Sequence, residues 1–193
     1  MSAPATTDTT YDGASLRALL AAATAPLTLT RCDLQDADLR DVDLSEVTFV
    51  DCTMDRVDLR GALLADTTFR GCRLMGASFE SVRGLGFRLE RCNLFAANLT
   101  GAPLARTDLS GCRLTEAVLR GTDLRSCVLD GCDLLGADLF EARLEGTDLR
   151  GAALGPCDLD RLRAMKGALL TTRQAIAIVE ELTGATVSDP VAS

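Results

Sequence analysis

The 193-residue chain has no histidine and no tryptophan, a single lysine (Lys166), and only 4% aromatic residues. Without histidine there is no Ser-His or Cys-His pair to activate a nucleophile, and no imidazole for a metal site. Neither a GxGxxG turn nor a P-loop is present to cradle a nucleotide. No apolar run approaches the roughly 20 residues that a membrane-crossing helix needs. Positive charge is also scarce: 20 basic against 28 acidic residues leave a net charge of −8. Nucleic-acid binders are usually basic, so direct DNA binding is not expected. An acidic surface suits a protein partner built to hold phosphates.

What is present is a period. From Leu29 to Leu159 every fifth residue is Leu, Phe or Met, with Gly84 as the one exception. Two places before each stands a second apolar or small residue, usually Ala, Cys, Val or Thr, and the positions between are mostly Asp, Arg, Glu, Gly and Ser. A helix buries a stripe at about 3.6 residues and a strand at 2, so neither alone explains five. A short fixed repeat means stacked units sharing one continuous core. In each unit two alternate residues point inward and the one between points out, as strand pleating requires. The remaining two turn a corner, where Gly61, Gly71, Gly111, Gly121, Gly131 and Gly151 supply conformational freedom.

The cysteines count the sides. All eight lie two residues before a centre, and Cys32, Cys52, Cys72, Cys92, Cys112 and Cys132 recur every 20 residues. Twenty is four units of five, so a four-sided coil stacks these thiols in one interior column, about 4.8 Å apart. That spacing fits neither a disulfide nor a CxxC metal site. The cysteines read as small buried hydrophobes, and eight unpaired thiols point to a reducing, cytoplasmic setting. A core filled by a repeat leaves no evident pocket, so no enzyme activity, cofactor or metal is expected.

Units such as CDLLG, ADLFE and TDLRG follow the A(D/N)LxG pattern of pentapeptide repeat proteins, and the chain resembles that family over residues 27–159. The stretches GCRLTEAVLRGTDLRSCVLDG (Gly111–Gly131) and KGALLTTRQAIAIVEELTGATV (Lys166–Val187) resemble the MfpA/Qnr class of fluoroquinolone-resistance proteins. The resemblance implies an all-β solenoid, a right-handed quadrilateral β-helix, with a short C-terminal helix that caps the coil and forms a dimer contact. It also implies a non-catalytic protein that binds DNA gyrase by imitating the shape and charge of duplex DNA. An interaction scaffold for a different partner is the alternative. Qnr proteins carry loops that project from the coil, and this unbroken frame has none.

Charge is uneven around the coil. The face centred on Leu39, Leu59, Phe79, Leu99, Leu119, Leu139 and Leu159 carries eight acids against four arginines, half of the net charge of the chain. Asp138, Glu141, Asp158 and Asp160 cluster at its C-terminal end and are the candidate partner-binding residues. A competing role for an Asp one place before a centre is turn chemistry, accepting backbone hydrogen bonds. Met75, Phe95 and Leu135 form a candidate apolar exterior column on the Cys32 face.

The ends break the pattern. Residues 1–26 are expected to be a flexible N-terminus, disordered to about residue 13, with a short helix from Ser15 to Ala23 capped by Ser15. The leader carries Asp8 and Asp12 and no base before Arg17, which argues against a signal peptide. The β-helix is expected over 27–163 and the helical tail over 164–193. After Thr172 as N-cap, Ile176, Val179 and Leu182 recur every three residues and are the candidate dimer interface; Gly184 marks the stop, and Ala185–Val187 a short strand. Gly84 is expected to leave a void between Leu64 and Leu104, filled by Phe87 with help from Phe79. The stretch matches the place where MfpA bends at a proline.

Overall fold

The computed structural model describes residues 5–188. Parallel bridges join residues twenty apart along the rod: Asp33 to Thr53 to Arg73 to Asn93 on one side, Asp38 to Asp58 to Ser78 to Asn98 on the next. Each coil therefore has four sides. Along a side the central N–H donates to the outward residue one coil ahead (Leu39 N to Asp58 O, 2.8 Å). The outward N–H returns to the inner residue one coil back (Asp58 N to Ala37 O, 3.0 Å). At the corner the next inner amide reaches the preceding centre (Ala37 N to Leu34 O, 3.1 Å). Three of the five amides of a regular unit are thereby paired without long strands, and the second corner residue pairs a fourth, as from Asp41 N to Arg60 O at 3.0 Å.

The Leu29 side is the most extended. There β2 (Thr28–Thr30), β3 (Thr48–Val50), β4 (Thr68–Arg70) and β5 (Arg88–Glu90) form a parallel sheet in chain order. The outward residues on this side are Thr28, Thr48, Thr68 and Arg88, and β-branched threonine favours extended backbone. Elsewhere an outward Asp or Asn accepts from the amide two residues on, as Asp58 does from Arg60 N (3.1 Å) and Asn98 from Thr100 N (3.0 Å). The turn role weighed for these carboxylates is thus their structural role. Corners take positive φ in every coil. In the first coil they are Asp36, Asp41, Glu46 and Asp51, at 59°, 57°, 62° and 52°, where glycine is the easier residue.

Centres and inner residues fill the coil. Phe49 and Phe69 stack at 5.1 Å, and Phe79 meets Phe69 edge-on at 5.8 Å. All eight cysteines are buried and unpaired. They do more than fill space. Cys52, Cys72, Cys92, Cys112 and Cys132 each aim Sγ at a centre carbonyl 23 residues back, as in Cys112 to Leu89 O at 3.2 Å. Thr67, Thr122 and Thr147 donate in the same way to Leu44, Leu99 and Leu124. Burial pushes the Cys112 and Cys132 thiols up to about 12 and Cys127 to about 11. At neutral pH they hold their protons and are poor nucleophiles. A thiol reagent is therefore expected to label the native protein slowly and all eight sites after denaturation. Cys157, near the end of the coil, is the expected exception. Rapid native labelling of most sites would place the thiols outside.

Both ends differ from expectation. The N-terminal segment is structured from residue 5; residues 1–4 lie outside the described residues. β1 (Ala5–Thr7) pairs with β2 and adds a partial coil. Helix α1 (Gly13–Ala22) is capped by Asp12, and Ser15 is its partner in a capping box. Leu16 is buried against the first coil, and Arg17 donates to the carbonyls of Asp38 and Arg40. The carbonyls and apolar groups at the open end are thus covered.

At the other end the last complete unit is centred on Leu154. Gly155, at φ +67°, and Pro156 end the ladder, and Asp158 caps helix α2 (Leu159–Ala164). Leu159 is 61% exposed instead of buried as a centre, so the β-helix stops short of residue 163. The chain rejoins the coil at Leu169, which bridges Asp148 at a spacing of 21. Helix α3 (Thr172–Thr183) then begins, with Thr171, one residue earlier than expected, as N-cap and Gln174 completing a capping box. Gly184 ends it at φ +68°. Residues 185–187 form no strand: Val187 N turns back to Glu180 Oε1 instead.

The rod is interrupted in the middle. Between Gly84–Arg91 and Pro103–Ser110 the ladder is missing on two adjacent sides. Neither Arg83–Pro103 nor Arg88–Asp108 bridges, and the forward bonds of Gly84, Gly86, Leu89 and Arg91 are absent among the described residues. Pro103 has no N–H to return to Val82. Gly84 takes φ +97°, and a Cβ there would meet Ala65 N at 2.6 Å. Its backbone has closed on the preceding coil, and that position is not the simple void expected. Phe79 and Phe87 are buried as predicted. The other two sides stay bonded, for example Asn93 to Arg113 and Asn98 to Val118. The result is a seam open on one flank.

Candidate partner-binding site

Asp138 is the outward residue of a side, its amide bonded to Ala117 O and its Oδ1 accepting from Phe140 N at 3.0 Å. Its Oδ2 accepts from Arg120 Nε, and the Arg120 guanidinium lies 5.4 Å from the Phe140 ring centre. Burial raises the Asp138 pKa, but the Phe140 amide and Arg120 outweigh it and hold the carboxyl below its ordinary value. Glu141 stands at the following corner with φ 58° and no ion pair among the described residues. These two acids are where the five-residue frame puts them.

Asp158 and Asp160 are not on the ladder. Asp158 accepts from Arg161 N at 2.7 Å as the cap of α2, and Asp160, in its first turn, pairs with Arg163 at 2.8 Å. Arg161 ties α2 to the coil by donating to the carbonyls of Ala137, Leu134 and Leu154, each at 2.7 Å. The helix thus folds back over the last side, and all four acids still line one cleft of about 580 Å³. Phe140, 56% exposed, lines the same cleft. It follows a centre on the acidic face, so the frame marks it as outward. The neighbouring face carries the apolar column of Met75, Phe95 and Leu135. In that column Leu135 is exposed, Met75 is half-buried, and half-buried Phe95 is covered by Arg113 at 5.2 Å.

The rest of the acidic face is partly self-neutralised. Arg40 bridges Asp38 and Asp58, and Arg60 pairs with Asp58. In the cleft Arg120 likewise pairs with Asp138 and Arg163 with Asp160, so acids without an ion pair among the described residues stand at both ends of the face: Asp41 and Glu80 at one, Glu141 and Asp158 at the other.

The dimer candidates divide between two roles. Ile178 is the buried residue of α3, and Leu182 packs on the core cluster from the same helix. Ile176 is half-buried, and Val179 is 45% exposed. Leu159, Leu162, Leu169 and Val187 are further exposed apolar residues of this end. Gln174 anchors α3 by donating to Leu149 O and Ala152 O. The period-three stripe did not separate capping residues from outward ones, because a single helix can serve both.

A four-sided coil with paired polar walls, a filled core and capped ends is a quadrilateral β-helix. Residues 27–99 match the profile of the pentapeptide repeat region, and residues 92–131 and 117–154 that of pentapeptide repeats in eight copies. The chain belongs to the pentapeptide repeat family, and its coil is right-handed like that of its solved neighbours. It is similar to a trypsin-treated variant of QnrB1, a plasmid-mediated fluoroquinolone resistance protein. The TM-score is 0.64 at 20% identity, covering 97% of this chain and 98% of the other. HetL, a pentapeptide repeat protein involved in heterocyst differentiation regulation from the cyanobacterium Nostoc sp., gives 0.60 at 25% identity, covering 86% and 81%. No curated protein sequence matches the chain.

Proposed function

We propose that this protein is a non-catalytic DNA mimic that binds DNA gyrase and modulates it or protects it from quinolone-type or natural poisons. The observation that carries the reading is the cleft. Asp138, Glu141, Asp158 and Asp160 come from two different elements and converge beside a capped, partly apolar end. There they stand in for phosphates against the Arg and Lys side chains that hold DNA. Resemblance to the MfpA/Qnr class supplies the partner. A gyrase supercoiling assay with added protein, with and without a quinolone, tests it directly. Unchanged supercoiling and unchanged drug sensitivity at micromolar protein would remove gyrase as the partner. The second reading, a scaffold for a different protein partner, is favoured by the comparable likeness to HetL.

The active form in this reading is a homodimer through α3, with Ile176, Val179 and Leu182 at or beside a two-fold contact. Val179→Asp places a charge at an apolar contact. It is expected to shift the protein from dimer to monomer in analytical sedimentation with little loss of helix signal, because Val179 faces away from the coil. A monomeric parent protein at micromolar concentration would exclude the dimer.

A further inference from the structure

The rod is not uniformly acidic. Residues 31–70 hold ten acids and five arginines, and residues 111–154 hold eight and five. Between them, residues 71–110 hold three acids and five arginines. The sign of the surface inverts at the coils that flank the open seam. Most arginines of the chain are spent on carboxylates or carbonyls of the protein itself. Arg88, Arg91 and Arg106 are exposed and make no ion pair or side-chain hydrogen bond among the described residues. Arg88 and Arg106 line a cavity of about 440 Å³ at the seam, with Gly86 and Thr107. A second cavity of about 510 Å³ continues round the corner, sharing Gly86 and Arg106 and bordered by Leu85, which is 76% exposed.

We propose that this seam is a docking slot for an extended acidic segment of a partner protein. The lip from Gly84 to Arg91 offers the amides of Gly84, Gly86 and Arg91, which make none of the ladder bonds their counterparts make elsewhere. Unpaired backbone along a sheet edge is a template for another strand. An extended chain supplies acceptors at successive spacings along such a lip, whereas a single phosphate meets only one or two. The three free guanidiniums select carboxylates on that chain. Four acids line the two cavities: Glu90 is engaged by Arg70 at 2.7 Å, Asp108 accepts from Ser110 N at 2.9 Å, Asp123 pairs with Arg125 and Arg143 at 2.8 and 2.9 Å, and Glu145 makes no ion pair among the described residues.

This deepens the gyrase reading, and depends on it only for the identity of the partner. Two measurements separate them. The first titrates hexaglutamate into the isotope-labelled protein and follows backbone amide signals. Shifts confined to residues 84–91 and 103–110 are expected. They should be lost in the combined variant Arg88→Gln, Arg91→Gln, Arg106→Gln, and strongly reduced in Pro103→Val, which restores an amide opposite Val82 at unchanged charge. Absent shifts, shifts spread along the rod, or equal shifts with inorganic phosphate or a short DNA duplex would each overturn an acidic-peptide slot. The second measures gyrase binding by the triple variant. If the protein acted only as a negative rod, removing three positive charges should tighten binding; the slot predicts roughly tenfold weaker binding. Equal or tighter binding would overturn its role at that interface. A parent protein that never binds gyrase defeats the partner assignment, while the peptide titration still decides the slot.

Discussion

Neutralising Asp138, Glu141, Asp158 and Asp160 together, as Asp→Asn and Glu→Gln, is expected to weaken inhibition of gyrase supercoiling by about 30-fold. Four exposed or half-exposed charge contacts at about 0.5 kcal/mol each give about 2 kcal/mol, which is that factor. The fold should persist. The amide introduced by Asp138→Asn would keep the oxygen that accepts from the Phe140 N–H, and Asp158→Asn leaves a good helix cap. The residual interaction should depend less on salt than that of the parent, because screened contacts have been removed. The control neutralises Asp108, Asp130 and Asp148 on the Leu29 face. If both sets weaken inhibition equally, total charge matters and the cleft has no special part. If neither changes an inhibition seen with the parent, phosphate mimicry is wrong for this protein.

Phe69→Ala is expected to cost about 3–5 kcal/mol of stability, the usual range for removing a buried aromatic ring. Phe69 is fully buried, stacked on Phe49 and edge-on to Phe79, so one substitution opens a cavity between three rings. A solenoid has contacts only between neighbouring coils, so a weakened coil has few distant contacts to compensate. Denaturant unfolding followed by circular dichroism measures it. Phe140→Ala is the comparison: the ring is exposed in the cleft, and the expected change is within about 0.5 kcal/mol. A cost below about 1 kcal/mol for Phe69→Ala would mean that the rings do not pack as the structure has them.

The acids illustrate how far a repeat can be read. Asp138 and Glu141 were placed by counting in fives, because each regular unit repeats the same backbone bonds and thus the same side-chain directions. Asp158 and Asp160 satisfy the same count and yet sit on a helix. Gly155 and Pro156 are visible as breakers, but the apparent centre at Leu159 continues the count of fives past them. The reverse holds at the N-terminus, where a polar leader looked disordered. Its order comes from pairing with Thr28–Thr30 and from Leu16 covering the first coil, contacts that no local pattern announces.

By itself the sequence determined the four-sided coil, its interior and the direction of nearly every side chain from Leu29 to Leu154. A period of five that recurs in twenty admits one register, and slipping it would expose the leucine core. Only the tertiary structure decided which acids remain uncancelled, since an arginine two or twenty residues away neutralises some and not others. It also decided where the ladder fails. Gly84 and Pro103 are far apart in sequence but face one another across neighbouring coils. A missing side chain on one coil and a missing amide on the next open a seam only when both meet there.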